Sequence, residues 1–125
     1  MTMTLKEVAE KLVDGCRTGQ DTANLDVLYA ADAVSVEAMP MEPGGSPETV
    51  GLDGIKGKHA WWNGAFEFMG GTIDGPFLHG DDKFAVVFKL SAKNRETGEV
   101  SDMEEVGIYH VADGKIVREE FFYTM

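Results

Sequence analysis

Acids and tyrosines crowd the run Met103 to Tyr123, MEEVGIYHVADGKIVREEFFY, where the Asp113-Gly114 pair marks a tight turn between two strand-like segments. Side chains two apart on a strand share a face. Glu105, Gly107, Tyr109 and Val111 therefore point one way, and Glu104, Val106, Ile108 and His110 the other. The returning strand divides into Val117, Glu119, Phe121 and Tyr123 against Ile116, Arg118, Glu120 and Phe122. Apolar residues on both faces predict cover on both, by helices on one side and a second subunit on the other. Carboxylates and phenols mixed with aromatic rings on a covered face are the makings of a polar pocket.

Three helices precede this hairpin. Leu5, Val8, Ala9, Leu12, Val13 and Cys16 recur at three- and four-residue steps, which predicts an amphipathic helix from Leu5 to Arg17, opened by a Thr4/Glu7 capping box and ended by Gly19. A shorter helix is expected over residues 23–31, followed by a strand in which Val34, Val36 and Ala38 alternate with Ser35 and Glu37. Pro40 to Pro47, PMEPGGSP, reads as an irregular loop placed to act as a lid. After a short strand at Thr49–Gly51, Asp53 is expected to cap a third helix that runs to Met69 and stops at Gly70-Gly71. Strands follow at residues 72–80, 83–93, 100–111 and 115–123. Helices followed by an antiparallel meander predict an α+β domain with three helices on the concave face of a curved antiparallel sheet.

One domain accounts for 125 residues of 43% hydrophobic content. The N-terminal MTMTLKEVAEKL has acids and lysines inside its apolar pattern, so it reads as neither signal peptide nor membrane span, and a cytoplasmic protein is expected. A formal charge of −11 with scattered Lys and Arg argues against nucleic acid and anionic membranes and favours a neutral or cationic ligand. The single cysteine, Cys16, has no partner for an internal disulfide. No metal-ligand spacing, phosphate loop or dinucleotide fingerprint is present, so chemistry without metal or cofactor is expected.

LYAADAVSVE, GLDGIKG and HVADGKIVREEFFY, in that order and spacing, make the chain resemble the SnoaL-like members of the nuclear transport factor 2-like superfamily. The resemblance implies a cone-shaped domain, a pocket between sheet and helices, and a homodimer through the outer sheet face. Superfamily members include isomerases, polyketide cyclases, dehydratases and non-catalytic binders, so the fold alone does not select an activity. Alignment with ketosteroid isomerases on Asp32-Ala33 puts Glu37 at the position of their general base. Their oxyanion donors have no counterpart, since the first helix lacks a tyrosine and the aspartate position of the penultimate strand falls near Gly107.

The same alignment turns Glu105, Tyr109, Glu119, Phe121 and Tyr123 toward the pocket and puts His59, with Trp62 and Phe66, on the inward side of the third helix. Glu37, His59, Glu105 and Tyr109 are thus the expected catalytic residues. Trp62, Phe66, Glu119, Phe121 and Tyr123 are the expected ligand contacts. A buried glutamate has its charged form disfavoured, which moves its pKa toward the range useful for proton transfer at neutral pH. The expected function is cofactor-independent acid/base catalysis of isomerase, cyclase or dehydratase type on a small, mostly apolar substrate. The alternative is a non-catalytic ligand-binding or dimeric module.

Overall fold

The computed structural model describes residues 2–40 and 43–123. Helix α1 (Leu5–Thr18) has the expected capping box: Thr4 accepts from the Glu7 backbone N–H, and Glu7 accepts from that of Thr4. Gly19, at φ 76°, closes it in the left-handed conformation. Its apolar stripe of Val8, Ala9, Leu12 and Val13 is buried in the core with Phe84, Val86 and Ile116. Arg17 clamps the helix to the sheet by donating from Nε and Nη2 to the Ile73 carbonyl.

Six strands form one curved, unclosed sheet: β1 (Tyr29–Val36), β2 (Glu48–Val50), β3 (Phe66–His79), β4 (Lys83–Asn94), β5 (Val100–Ala112) and β6 (Lys115–Phe122), in the order β2-β1-β6-β5-β4-β3. With α1, α2 (Leu25–Leu28) and α3 (Leu52–Ala65), this is the expected α+β architecture. The meander β3 to β6 is antiparallel throughout, but β1 runs parallel to β6. The sheet is therefore mixed, not wholly antiparallel. A parallel partner is open to β1 because α3 and the meander separate it from β6 in sequence.

Both shorter-range helix expectations are corrected. α2 is a single turn, because Tyr29, which continues its pattern, already lies in β1. α3 ends at Ala65, and the residues expected in its last turn, Phe66 to Met69, open β3. Aromatic residues there favour a pleated surface over a helix already weakened by Gly54, Gly57 and Gly64. Gly70 and Gly71 are not a helix stop but an irregularity in the β3–β4 register, with φ of 118° and 152°. The Asp113-Gly114 turn is as expected, both residues having positive φ.

A β-carbon on Gly71 would meet the Lys89 carbonyl oxygen and lie 2.9 Å from Leu90 Cα, both backbone atoms of β4. Gly71→Ala is therefore expected to lower stability by more than about 2 kcal/mol, against about 1 kcal/mol for loss of the cap in Thr4→Ala. Urea denaturation of the two variants measures both, and equal midpoints would contradict the close approach of β3 to β4.

Candidate functional site

The inner face of β6 carries Glu119, which is 3% exposed. Tyr29 Oη donates to its Oε1 and Ser35 Oγ donates to its Oε2 at 2.6 Å. Both donors come from β1, and Ser35 is the direct register partner of Glu119 across the parallel β1–β6 ladder. A carboxyl this deep needs such partners, since an unpartnered buried acid is among the costliest groups a core can hold. Burial pushes the Glu119 carboxyl above its ordinary range, with the Ser35 and Tyr29 hydrogen bonds and the nearby Lys58 charge opposing.

Lys58 reaches this group from α3. Its Nζ donates to Ser35 Oγ at 2.8 Å, pairs with Glu37 Oε1 at 3.1 Å and lies 5.7 Å from the centre of the Phe121 ring. Lys58 and Glu37 side chains are 14% and 20% exposed, so the pair sits at the margin of the buried floor rather than on the open surface. Glu37 shares its strand face with Ser35 and Ala33, just beyond the end of β1.

Glu105 lies on β5 opposite Phe88 of β4. Burial, reinforced by the negative charges of Glu37 and Glu119 and opposed by Lys58, pushes its carboxyl up to about 7. Two positions on, Gly107 has no side chain, and a β-carbon there would lie 3.2 Å from Tyr109 Oη and 3.2 Å from Phe121 Cε1. The Tyr109 phenol and the Phe121 ring therefore occupy the space that a side chain at 107 would fill. Tyr109 stacks on Phe84 at 4.8 Å and meets Phe121 edge-on at 6.1 Å. Its hydroxyl is held well above its ordinary pKa by burial and the Glu119 charge, so it stays a neutral hydrogen-bond donor. Tyr123 is raised in the same direction by burial and by the charges of Glu37 and Glu105.

Of the residues expected from sequence, the structure brings together Glu37, Glu105, Tyr109, Glu119, Phe121 and Tyr123. His59 is set differently. Its Nδ1 lies 3.1 Å from Thr22 Oγ1 and 3.6 Å from Asp21, so it braces the segment between α1 and α2. Trp62 stacks on Phe66 at 4.5 Å where α3 passes into β3. Phe66 pairs with Asn94, six residues along β4 from Phe88, or about 20 Å of strand from the Glu105 level.

Three members of the cluster are not announced by residue type and spacing: Tyr29, Ser35 and Lys58. Tyr29 continues the apolar pattern of α2 although it opens β1. Ser35 has the same strand parity as Glu37, but a serine within an alternation carries no signal of its own. Lys58 was visible only as the neighbour of His59, one helical step around from it.

Among the described residues, no three His, Cys, Asp or Glu side chains are grouped to hold a metal ion, and no helix is long and apolar enough to cross a membrane. A surface groove of about 610 Å³ lies elsewhere, between α1 and Pro76, and contains none of the clustered residues.

The SnoaL-like domain family matches residues 3–123. The chain belongs to the SnoaL-like family. A Mesorhizobium loti protein named as a candidate SnoaL-like polyketide cyclase is 35% identical over 97% of this chain and 100% of its own, with a TM-score of 0.86. A nuclear transport factor 2-like protein from Burkholderia thailandensis shares the fold at 18% identity and TM-score 0.78, covering 98% of this chain and 92% of its own. So does a Catenulispora acidiphila protein of ketosteroid isomerase-like fold, solved in complex with trimethylamine, at 17% identity and TM-score 0.72, over 98% and 88% of the two chains. No curated protein matches the chain.

The raised Glu105 carboxyl has a consequence for stability. Its folded pKa of about 7 exceeds the ordinary 4.5, so the folded state binds this proton more tightly than the unfolded chain does. The resulting stabilisation is complete below pH 4.5 and is lost as pH rises through 7, by at most about 3 kcal/mol. Glu119 acts in the same direction. Thermal melts between pH 5 and 8 should show the wild type losing more stability than Glu105→Gln, with the variant the more stable at pH 8. Parallel curves for the two proteins would contradict the assignment.

Proposed function

We propose that this SnoaL-like protein is a cofactor-independent acid/base enzyme of isomerase, cyclase or dehydratase type, acting on a small, mostly apolar molecule held against Glu37, Glu105, Tyr109, Phe121 and Tyr123. The observation that carries this reading is the half-buried Glu105, raised to about 7 beside a second carboxylate, Glu37, that is paired with Lys58. Two carboxyl groups in unlike surroundings divide the labour of proton transfer: one takes a proton as the other gives one. Isomerisation, cyclisation and dehydration have that requirement in common, and none of them calls for a redox or group-transfer partner.

Each residue has a part. Glu37 is the base, close to the position the family resemblance gives it. Glu105 is the acid that returns the proton, and Tyr109 is a neutral donor to the substrate. Phe121 and Tyr123 supply apolar contact, whereas Trp62 and Phe66 stack on each other at the α3–β3 joint, away from Glu105. His59 fixes the segment around Thr22 instead of meeting the substrate, while Glu119 anchors the floor.

The reading is tested by deuterium uptake. A panel of small ketones, β-keto esters and β-hydroxy ketones in D2O, followed by proton NMR, should reveal at least one compound whose exchange the protein accelerates, with a rate inflection near pH 7. Glu37→Gln and Glu105→Gln should each reduce that rate by about 10²-fold or more. Ligand binding without exchange across the panel would favour the binding module instead.

The outer sheet face supports a homodimer. Val87, Val106 and Phe122 lie in one cross-strand row and Phe77, Ala85 and Ile108 in the next, with Phe122 and Phe77 more than half exposed in the single chain. Light scattering at micromolar concentration should give twice the chain mass, and Ile108→Glu should give the mass of one chain. A monomeric wild type would remove the dimer from the account.

A further inference from the structure

Lys58 is a cation set beside the buried acids. Its ammonium contacts a hydroxyl that is fully buried, a carboxylate and an aromatic ring. Placing a lysine so deep forfeits much of its hydration, which is compensated only where negative charge is present or develops. Ser35 gives its own proton to Glu119, leaving its oxygen to accept from Lys58. The chain Lys58 to Ser35 to Glu119 therefore fixes the ammonium from the core side. Glu37 fixes it from the margin. Among the described residues Ser35 accepts a hydrogen bond from Nζ and Glu37 is its ion-pair partner, which leaves at least one of its three N–H bonds for a ligand.

Building on the acid/base reading, we propose that the Lys58 ammonium, held by Ser35, is the electrophile of the site, and that the substrate is a neutral carbonyl compound with an acidic α C–H bond. The carbonyl oxygen accepts the free N–H of Lys58. Glu37 removes the α-proton: the C–H bond breaks, an O–H bond forms on Glu37, and the electron pair moves onto the carbonyl oxygen as an enolate. Return of a proton to carbon from Glu105 or Glu37 completes the step.

The charge balance favours this arrangement. As Glu37 is neutralised, the enolate oxygen takes up the negative charge beside the same ammonium, so Lys58 exchanges one anionic partner for another without a new charge being buried. A donor already in place for an oxyanion needs little reorganisation in the transition state. The donor comes from α3, whereas the ketosteroid isomerases draw theirs from a first-helix tyrosine and a penultimate-strand aspartate, positions where this chain has no tyrosine and Gly107. The overall charge of −11 disfavours an anionic substrate at long range, which agrees with a substrate that is neutral on arrival.

The test uses the enolate of cyclohexane-1,3-dione, a stable oxyanion, titrated by ultraviolet absorbance into wild type, Lys58→Met, Lys58→Gln, Lys58→Arg and the exposed-lysine control Lys6→Met. Far-ultraviolet circular dichroism establishes that each variant is folded. Enolate affinity should fall at least 10-fold in Lys58→Met and Lys58→Gln and stay within about threefold in Lys58→Arg and Lys6→Met. Equal affinity in the wild type and in whichever of the two neutral variants folds would overturn the proposal. The acid/base reading is judged separately by Glu37→Gln: if this variant abolishes deuterium exchange while the neutral Lys58 variants keep both exchange and enolate affinity, the lysine assignment fails and the base assignment stands. If the neutral variants lose enolate affinity although no protein catalyses exchange, the oxyanion site stands without the reaction.

Discussion

The site rests on one buried carboxyl group. Glu119 lies under the helices on the inner face of β6, where water cannot solvate it, and it is tolerated because Tyr29 and Ser35 both donate to it. Those donors bracket β1, so the hydrogen bonds also tie the parallel strand pair on which the sheet departs from a simple meander. Lys58 extends the network to α3. α3 buries only Ile55 among its side chains, so these polar contacts help to hold a helix that hydrophobic burial alone would hold weakly.

From this anchor the electrostatics of the margin follow. Glu105 is raised first by its own burial and then by the charges of Glu37 and Glu119, while Lys58 opposes the shift. Three carboxyl groups and one ammonium thus form a coupled set in which changing one charge moves the others. Tyr109 and Tyr123 stay neutral within it because burial and the same carboxylates disfavour their ionisation. Gly107 matters as a space: a side chain there would displace Tyr109 and Phe121, the two rings that wall the cluster.

The hairpin that carries Glu105 and Tyr109 was legible in sequence, because strict alternation and an Asp-Gly turn leave little freedom. The alternation failed at one point. The register skips between His110 and Val111, so Ile116 turns inward beside Val111 although it is out of phase with Glu119, an irregularity that residue types do not announce. On β1, the polar parity of Ser35 and Glu37 faces the core while Val34 and Val36 lie half-buried on the other side. Hydrophobic alternation misleads there because the inner face is lined for polar contacts, not for packing. Lys58 is hidden in the sequence for the same reason. A lysine on a glycine-rich helix reads as a solvated charge until its partners are seen.

The most direct measurement of this account is the titration of glutamate side-chain carbons by NMR in the wild type and in Glu37→Gln. The account predicts one resonance, assigned to Glu105, with its midpoint near 7, moving downward in Glu37→Gln because one nearby negative charge is gone and Lys58 is left unpaired. A Glu105 midpoint near 4.5 that ignores the substitution would show that the carboxylates do not share a site, and the acid/base account would fall with it.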